Sequence, residues 1–241
     1  MSNLARQTPA VETRRIAPLW HTLGLLILLF ALSAGLFRLQ SAPPATGGAG
    51  ESQRGNMPLY LAVIVAEWAL VYYVWLGGRR WGGTPLRELI GGRWSSAKAV
   101  VLDILIAAVF WVVWTATGTL LNSLLGPSHT RSLGFLNPRG SLEITLWVLM
   151  SITAGFCEEL LYRGYLQRQA LAISRNGAVA VLAQAVIFGA GHWYQGSKMV
   201  IVIAALGALF GILAHWRKRL RPGMISHAWS DSLNVIPIRF P

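Results

Sequence analysis

Long apolar runs separated by short polar stretches set the pattern of this chain. A helix needs about 20 predominantly apolar residues to cross a bilayer, and seven runs approach or exceed that length: 16–37, 58–76, 99–125, 142–162, 178–194, 199–216 and 222–238. The fifth is short and the seventh is interrupted by polar residues. Between the first two, 39–57 holds Pro43, Pro44, Gly47, Gly48 and Gly50 and reads as a loop. The stretch 77–98 mixes six glycines with arginines and reads as a loop or an interfacial helix anchored by Trp81 and Trp94. The expected fold is therefore all-α: a polytopic membrane bundle of about seven transmembrane helices, or eight counting an interfacial one.

Composition agrees. The chain is 54% hydrophobic and only 12% charged, whereas a soluble domain carries roughly 25% charged residues. The net charge of +12 does not point to nucleic acid, because the basic residues lie in short clusters between apolar runs. That placement suits topology signals and contacts with an anionic bilayer. Arg6, Arg14, Arg15, Arg79, Arg80, Arg87, Arg93, Lys98, Arg163, Arg168, Arg175, Arg217, Lys218, Arg219 and Arg221 fall on one side of the seven-span layout. Arg38, Arg54, Arg131, Arg139, Lys198 and Arg239 fall on the other. The richer side is expected to be cytoplasmic, giving a cytoplasmic N-terminus and an outward C-terminus. The first apolar run exceeds the roughly 7–15 residues of a cleavable signal peptide and reads as a signal anchor, with cleavage near the small residues Ser33 and Ala34 as the alternative. The expected layout is a cytoplasmic tail over 1–15, N-terminal helices and loops over 16–140, and a core over 141–238.

Ionisable groups at membrane depth are costly, about 2.5–3.5 kcal/mol each on insertion scales, and mark function or pairing. Glu67, Glu158, Glu159 and Asp231 fall within the apolar runs, with Asp103 near the start of another. The densest group is Cys157-Glu158-Glu159-Leu160-Leu161-Tyr162-Arg163. On a helix Glu159 and Arg163 share a face in the favourable order, while Glu158 points about 100° away. One carboxylate is thus held by arginine while its neighbour is free to face elsewhere. The plainer alternative is an ion pair at a helix interface. Cys157, the single cysteine, can form no intramolecular disulfide and reads as a small packing residue. Glu67 has no sequence partner and reads as a packing or water-cavity residue.

Two further pieces place histidines near acidic or aromatic neighbours: Phe188-Gly-Ala-Gly-His192 and His227-Ala-Trp-Ser-Asp231. Each alone is weak. In order and spacing the three pieces resemble the Glu-Glu-x-x-x-Arg, Phe-x-x-x-His and His-x-x-x-Asn/Asp pattern of the CPBP family, which includes the CAAX prenyl endopeptidases and the Abi proteins. The resemblance covers about 145–235. It implies an intramembrane protease with Glu158, Glu159, Arg163, His192, His227 and Asp231 as functional positions, acting on a membrane-associated, CAAX-like protein or peptide. Asp231 stands where eukaryotic CAAX proteases usually carry asparagine.

The residues suit amide hydrolysis. A carboxylate in a poorly hydrated cavity can act as general base and then acid, which fits Glu158, with His192 helping to hold the water. His227, oriented by Asp231, can donate to the developing oxyanion. Glu158, His192 and His227 are also acceptable zinc ligands. Against zinc, a metal-bound histidine needs a second-shell acceptor, and His192 has no acidic neighbour in sequence. No cofactor is therefore expected, with zinc as the alternative. The Gly-x-Gly-Asp and His-Glu-x-x-His signatures are absent, and Ser226 does not face its neighbour His227. A non-catalytic immunity or binding protein and a proton-coupled transporter are the competing functions. One tension remains: counting residues from helix ends puts Glu158 and His192 deep, but His227 only a turn or two in. Either the last helix starts later, or a deep cytoplasmic cavity reaches the site.

Overall fold

The computed structural model describes residues 14–41, 55–126 and 137–233. Nine α-helices are present among them: α1 Leu19–Ser41, α2 Met57–Gly77, α3 Leu86–Ile90, α4 Ala97–Leu124, α5 Ser141–Glu158, α6 Gln167–Ser174, α7 Gly177–Gly191, α8 Ser197–Arg217 and α9 Arg221–Leu233. No strand occurs among the described residues. Five helical stretches are long and apolar enough to cross a membrane: Leu19–Leu39, Met57–Gly82, Ala97–Leu124, Ser141–Ser174 and Ser197–Arg217. The shorter apolar α7 packs among them. The chain is thus an integral, polytopic, all-α membrane protein. Its large exposed apolar residues, such as Leu23, Ile27, Val65 and Val109, are what lipid-facing helix surfaces require.

Local chemistry sets the boundaries. Pro58 lies in the first turn of α2, where a missing N–H costs nothing. The Ser96 hydroxyl accepts from the Ala99 amide and starts α4, and the Asn176 side chain accepts from the amides of Ala178 and Val179 and starts α7. Left-handed Arg175 and Lys218 end α6 and α8.

Three boundaries differ from the sequence reading. The run expected over 142–162 continues to Ser174, because a wide π turn over Glu159–Leu166 joins α5 to α6 without a break. The run 178–194 ends at Gly191, so His192 is a cap residue rather than a helical one. The loop expected from 39 begins later, since α1 runs to Ser41. The rest of that loop, and the tail of the last run beyond Leu233, lie largely outside the described residues. The stretch 77–98, expected as a loop or an interfacial helix, holds the short α3 flanked by half-exposed Trp81 and Trp94.

One end of the bundle is tightly knit. The Leu220 amide donates to the Ile90 carbonyl at 3.0 Å, and Arg168 donates to the carbonyls of Glu88 and Leu89. Gln169 accepts from the Ile16 amide at 2.7 Å and donates to the Ala17 carbonyl. Fully buried Asp103 pairs with Arg221 at 3.1 Å and with Arg217 at 3.5 Å. The Trp94 indole donates to the same carboxylate. This end carries nearly all the basic residues; Arg38, Arg139 and Lys198 are those at the other end among the described residues.

Candidate active site

Close helix approach brings the polar residues together. Helix α9 lies antiparallel on α5: Gly155 faces Met224 and Ala228, while the Trp147 indole donates to the Asp231 carbonyl at 2.9 Å. A Cβ on Gly155 would come within 2.7 Å of the Ala228 nitrogen and 2.8 Å of the Met224 oxygen. Only glycine allows this spacing, and the spacing sets how far His227 reaches toward Glu159.

Glu159 and Arg163 form the pair that the spacing suggested, at 2.9 Å. Both are almost fully buried. Arg163 also donates to the Gly207 carbonyl at 3.1 Å, and its guanidinium lies 4.5 Å from the Phe188 ring centroid and 4.9 Å from that of Phe210. Glu159 has a second role that its spacing from Arg163 does not reveal. Its Oε1 accepts from His227 Nδ1 at 3.0 Å. Asp231 is thus not the only carboxylate placed to orient His227. Glu159 fixes the ring at Nδ1, whereas Nε2 faces two carboxylates, Asp231 Oδ2 at 3.6 Å and Glu158 Oε2 at 3.7 Å.

His192 is pinned by its own helix. Its Nδ1 lies 2.8 Å from the Phe188 carbonyl. A carbonyl can only accept, so Nδ1 carries the hydrogen and Nε2 of the neutral ring keeps a free lone pair. His192, which has no acidic neighbour in sequence, therefore does have a second-shell acceptor, since backbone carbonyls serve that role. Among the described residues, no three His, Cys, Asp or Glu side chains are grouped so as to hold a metal ion.

Glu158, His192, His227 and Asp231 all line one cavity of about 490 Å³. Its walls are mostly apolar, with Leu59, Val63, Trp114 and Leu206 among them. The cavity also reaches Tyr194 and Glu67. Beneath the cluster, toward the basic end, buried Arg163, Gln167 and Gln184 donate to the carbonyls of Gly207 and Gly211 and close the bundle. Toward the other end the lining continues through Trp147, Asn122 and Gln195.

The depth tension resolves in this geometry. Gly164 packs against Leu89 and Leu220, so these residues mark one level. At 1.5 Å per residue, Glu158 and His227 each lie roughly 10 Å beyond it. The helix carrying Glu158 simply continues past that level to Ser174. Cys157 is fully buried, as a packing residue would be, and Ser226 is buried too. Tyr194, Trp147 and Phe210 are site residues that the motif reading missed. In sequence they look like ordinary apolar or interfacial aromatics.

The fold and site define a membrane-embedded helical bundle with carboxylates and histidines around one internal cavity. Comparison with known proteins sharpens this. Residues 140–233, a segment that carries all six motif residues, match the family model of the type II CAAX prenyl endopeptidase Rce1-like proteins. The chain is also 27% identical over 118 residues to YpbD of Bacillus subtilis (strain 168), described as an uncharacterized protein. That alignment covers 47% of this chain and 58% of YpbD. No solved structure matches the chain significantly.

Proposed function

We propose that the chain is an intramembrane endopeptidase that hydrolyses a peptide bond of a membrane-associated protein or peptide with a water activated by Glu158. The observation that carries this reading is the single cavity shared by Glu158, His192, His227 and Asp231 within an otherwise apolar bundle.

Each group has a distinct task. The Glu158 carboxylate takes a proton from water. His192 Nε2, its lone pair free because Nδ1 is committed to Phe188, accepts the water's other hydrogen and orients it. The resulting hydroxide attacks the scissile carbonyl carbon. His227, held by Glu159 from behind, donates from Nε2 to the developing oxyanion. Asp231, near that same nitrogen, supports the donating form. Arg163 holds Glu159 in place.

No cofactor is required in this scheme. Apolar walls suit a hydrophobic substrate segment, including a lipidated, CAAX-like one. The skewed basic residues support a cytoplasmic N-terminus.

The test is cleavage of membrane-anchored peptides by purified protein in proteoliposomes. Glu158→Gln keeps the size and insertion of the side chain but removes the base. It is expected to abolish cleavage while leaving thermal stability near that of the parent. Full cleavage by Glu158→Gln refutes the assignment.

A further inference from the structure

A third carboxyl group belongs to this cavity and to none of the motifs. Glu67 lies on α2, which packs beside α5. Its side chain is 6% exposed and lines the same cavity as Glu158, His192, His227 and Asp231. Its Oε2 is buried without a hydrogen-bond partner, and no arginine, lysine or histidine forms an ion pair with it among the described residues. Buried carboxyls are normally paired; one that is not is retained for a reason or exchanged for an apolar residue. Glu67 faces the site from the α2 wall, while His227 and Asp231 approach from α9; in its protonated form it is an O–H donor.

We infer that Glu67 is a second proton-carrying group of the reaction, the acid that protonates the leaving amine nitrogen. The inference rests on the reading of Glu158 as base. Hydrolysis requires two proton movements. Glu158 takes one proton from water as the hydroxide bonds to the carbonyl carbon. When the C–N bond of the tetrahedral intermediate breaks, the nitrogen leaves with that bond's electron pair and needs a proton. Glu67 supplies it, leaving as products a carboxylic acid and an amine. The proton held by Glu158 then returns to Glu67, directly or through water, and both groups are reset. A lone glutamate would have to carry its proton from the water to the nitrogen. An acid on a second helix removes that requirement.

The test separates amide from ester. A quenched fluorescent peptide cleaved by the parent protein is compared with the p-nitrophenyl ester of its acyl segment, whose leaving group departs without a proton. General acid catalysis contributes about 10²–10⁴-fold, so Glu67→Gln is expected to lower amide kcat at least about 100-fold. KM and the ester rate stay within about threefold of the parent, because binding and attack are untouched. Glu158→Gln lowers both reactions, so failure of the base assignment, seen as retained cleavage in that variant, is distinct from failure of this one. Equal loss on amide and ester, or full amide activity, in Glu67→Gln overturns the inference. Glu67→Asp, which keeps the acid at a shorter reach, guards against a folding defect. It is expected to give a smaller loss confined to the amide, and a loss equal on both substrates likewise overturns the inference.

Discussion

Removing the cation of the buried pair tests how the site is held. In Arg163→Met the guanidinium between Glu159, the Gly207 carbonyl and the rings of Phe188 and Phe210 is replaced by an apolar chain of similar reach. Methionine fits the aromatic contacts, so the packing loss is small. The dominant loss is electrostatic: Glu159, 1% exposed, is left with only His227 as a partner. Breaking one side of a buried pair costs about 3–5 kcal/mol, which lowers the folded-to-unfolded equilibrium constant by at least two powers of ten. Adding Glu159→Gln removes the stranded charge while the amide oxygen still accepts from His227. The double variant should recover about 2 kcal/mol, within the coupling range of contacting residues. Unfolding in mixed detergent micelles, followed by tryptophan fluorescence, measures each term of the cycle. A loss under about 1 kcal/mol in Arg163→Met, or strict additivity in the double variant, refutes the reasoning.

Gly155→Ala should push α9 from α5, since the new methyl meets backbone atoms of Met224 and Ala228; overpacking of this kind costs about 1–3 kcal/mol. Activity should fall further than stability because His227 moves with α9, and a variant of parental activity contradicts this. Reporter fusions after residue 90 and after residue 218 should report cytoplasm, and fusions near 50 and 135 the opposite side. A cytoplasmic signal at 50 overturns the orientation. Metal analysis of active protein should find activity persisting in a metal-free preparation; about one zinc per chain, with activity lost on chelation and restored by zinc alone, sinks the metal-independent scheme.

Much of this was legible from residues alone, because membrane spans and motif spacing are local signals. The apolar runs located the five long spans and α7, and the four-residue step from Glu159 to Arg163 predicted their pair. The missing parts are those that depend on distant contacts. Glu159 and His227 are 68 positions apart, and Asp103 and Arg221 are 118 apart; neither contact has a periodicity to betray it. The acceptor behind His192 is a backbone carbonyl, invisible to any reading of side-chain types. The π turn at Glu159–Leu166 has no composition cue either, although such turns gather at functional sites. Glu67 was visible as an anomaly, an acid in an apolar run. Its neighbours were not, because they come from α5 and α9.

The most direct measurement of the central claim is cleavage of a membrane-anchored peptide in H₂¹⁸O by purified protein, with the fragments read by mass spectrometry. A water-activating Glu158 site predicts cleavage at a defined bond, one ¹⁸O in the new carboxyl terminus, and loss of both in Glu158→Gln. Protein that binds the peptide in its cavity yet leaves every bond intact would contradict the account and favour a binding protein built on the same fold.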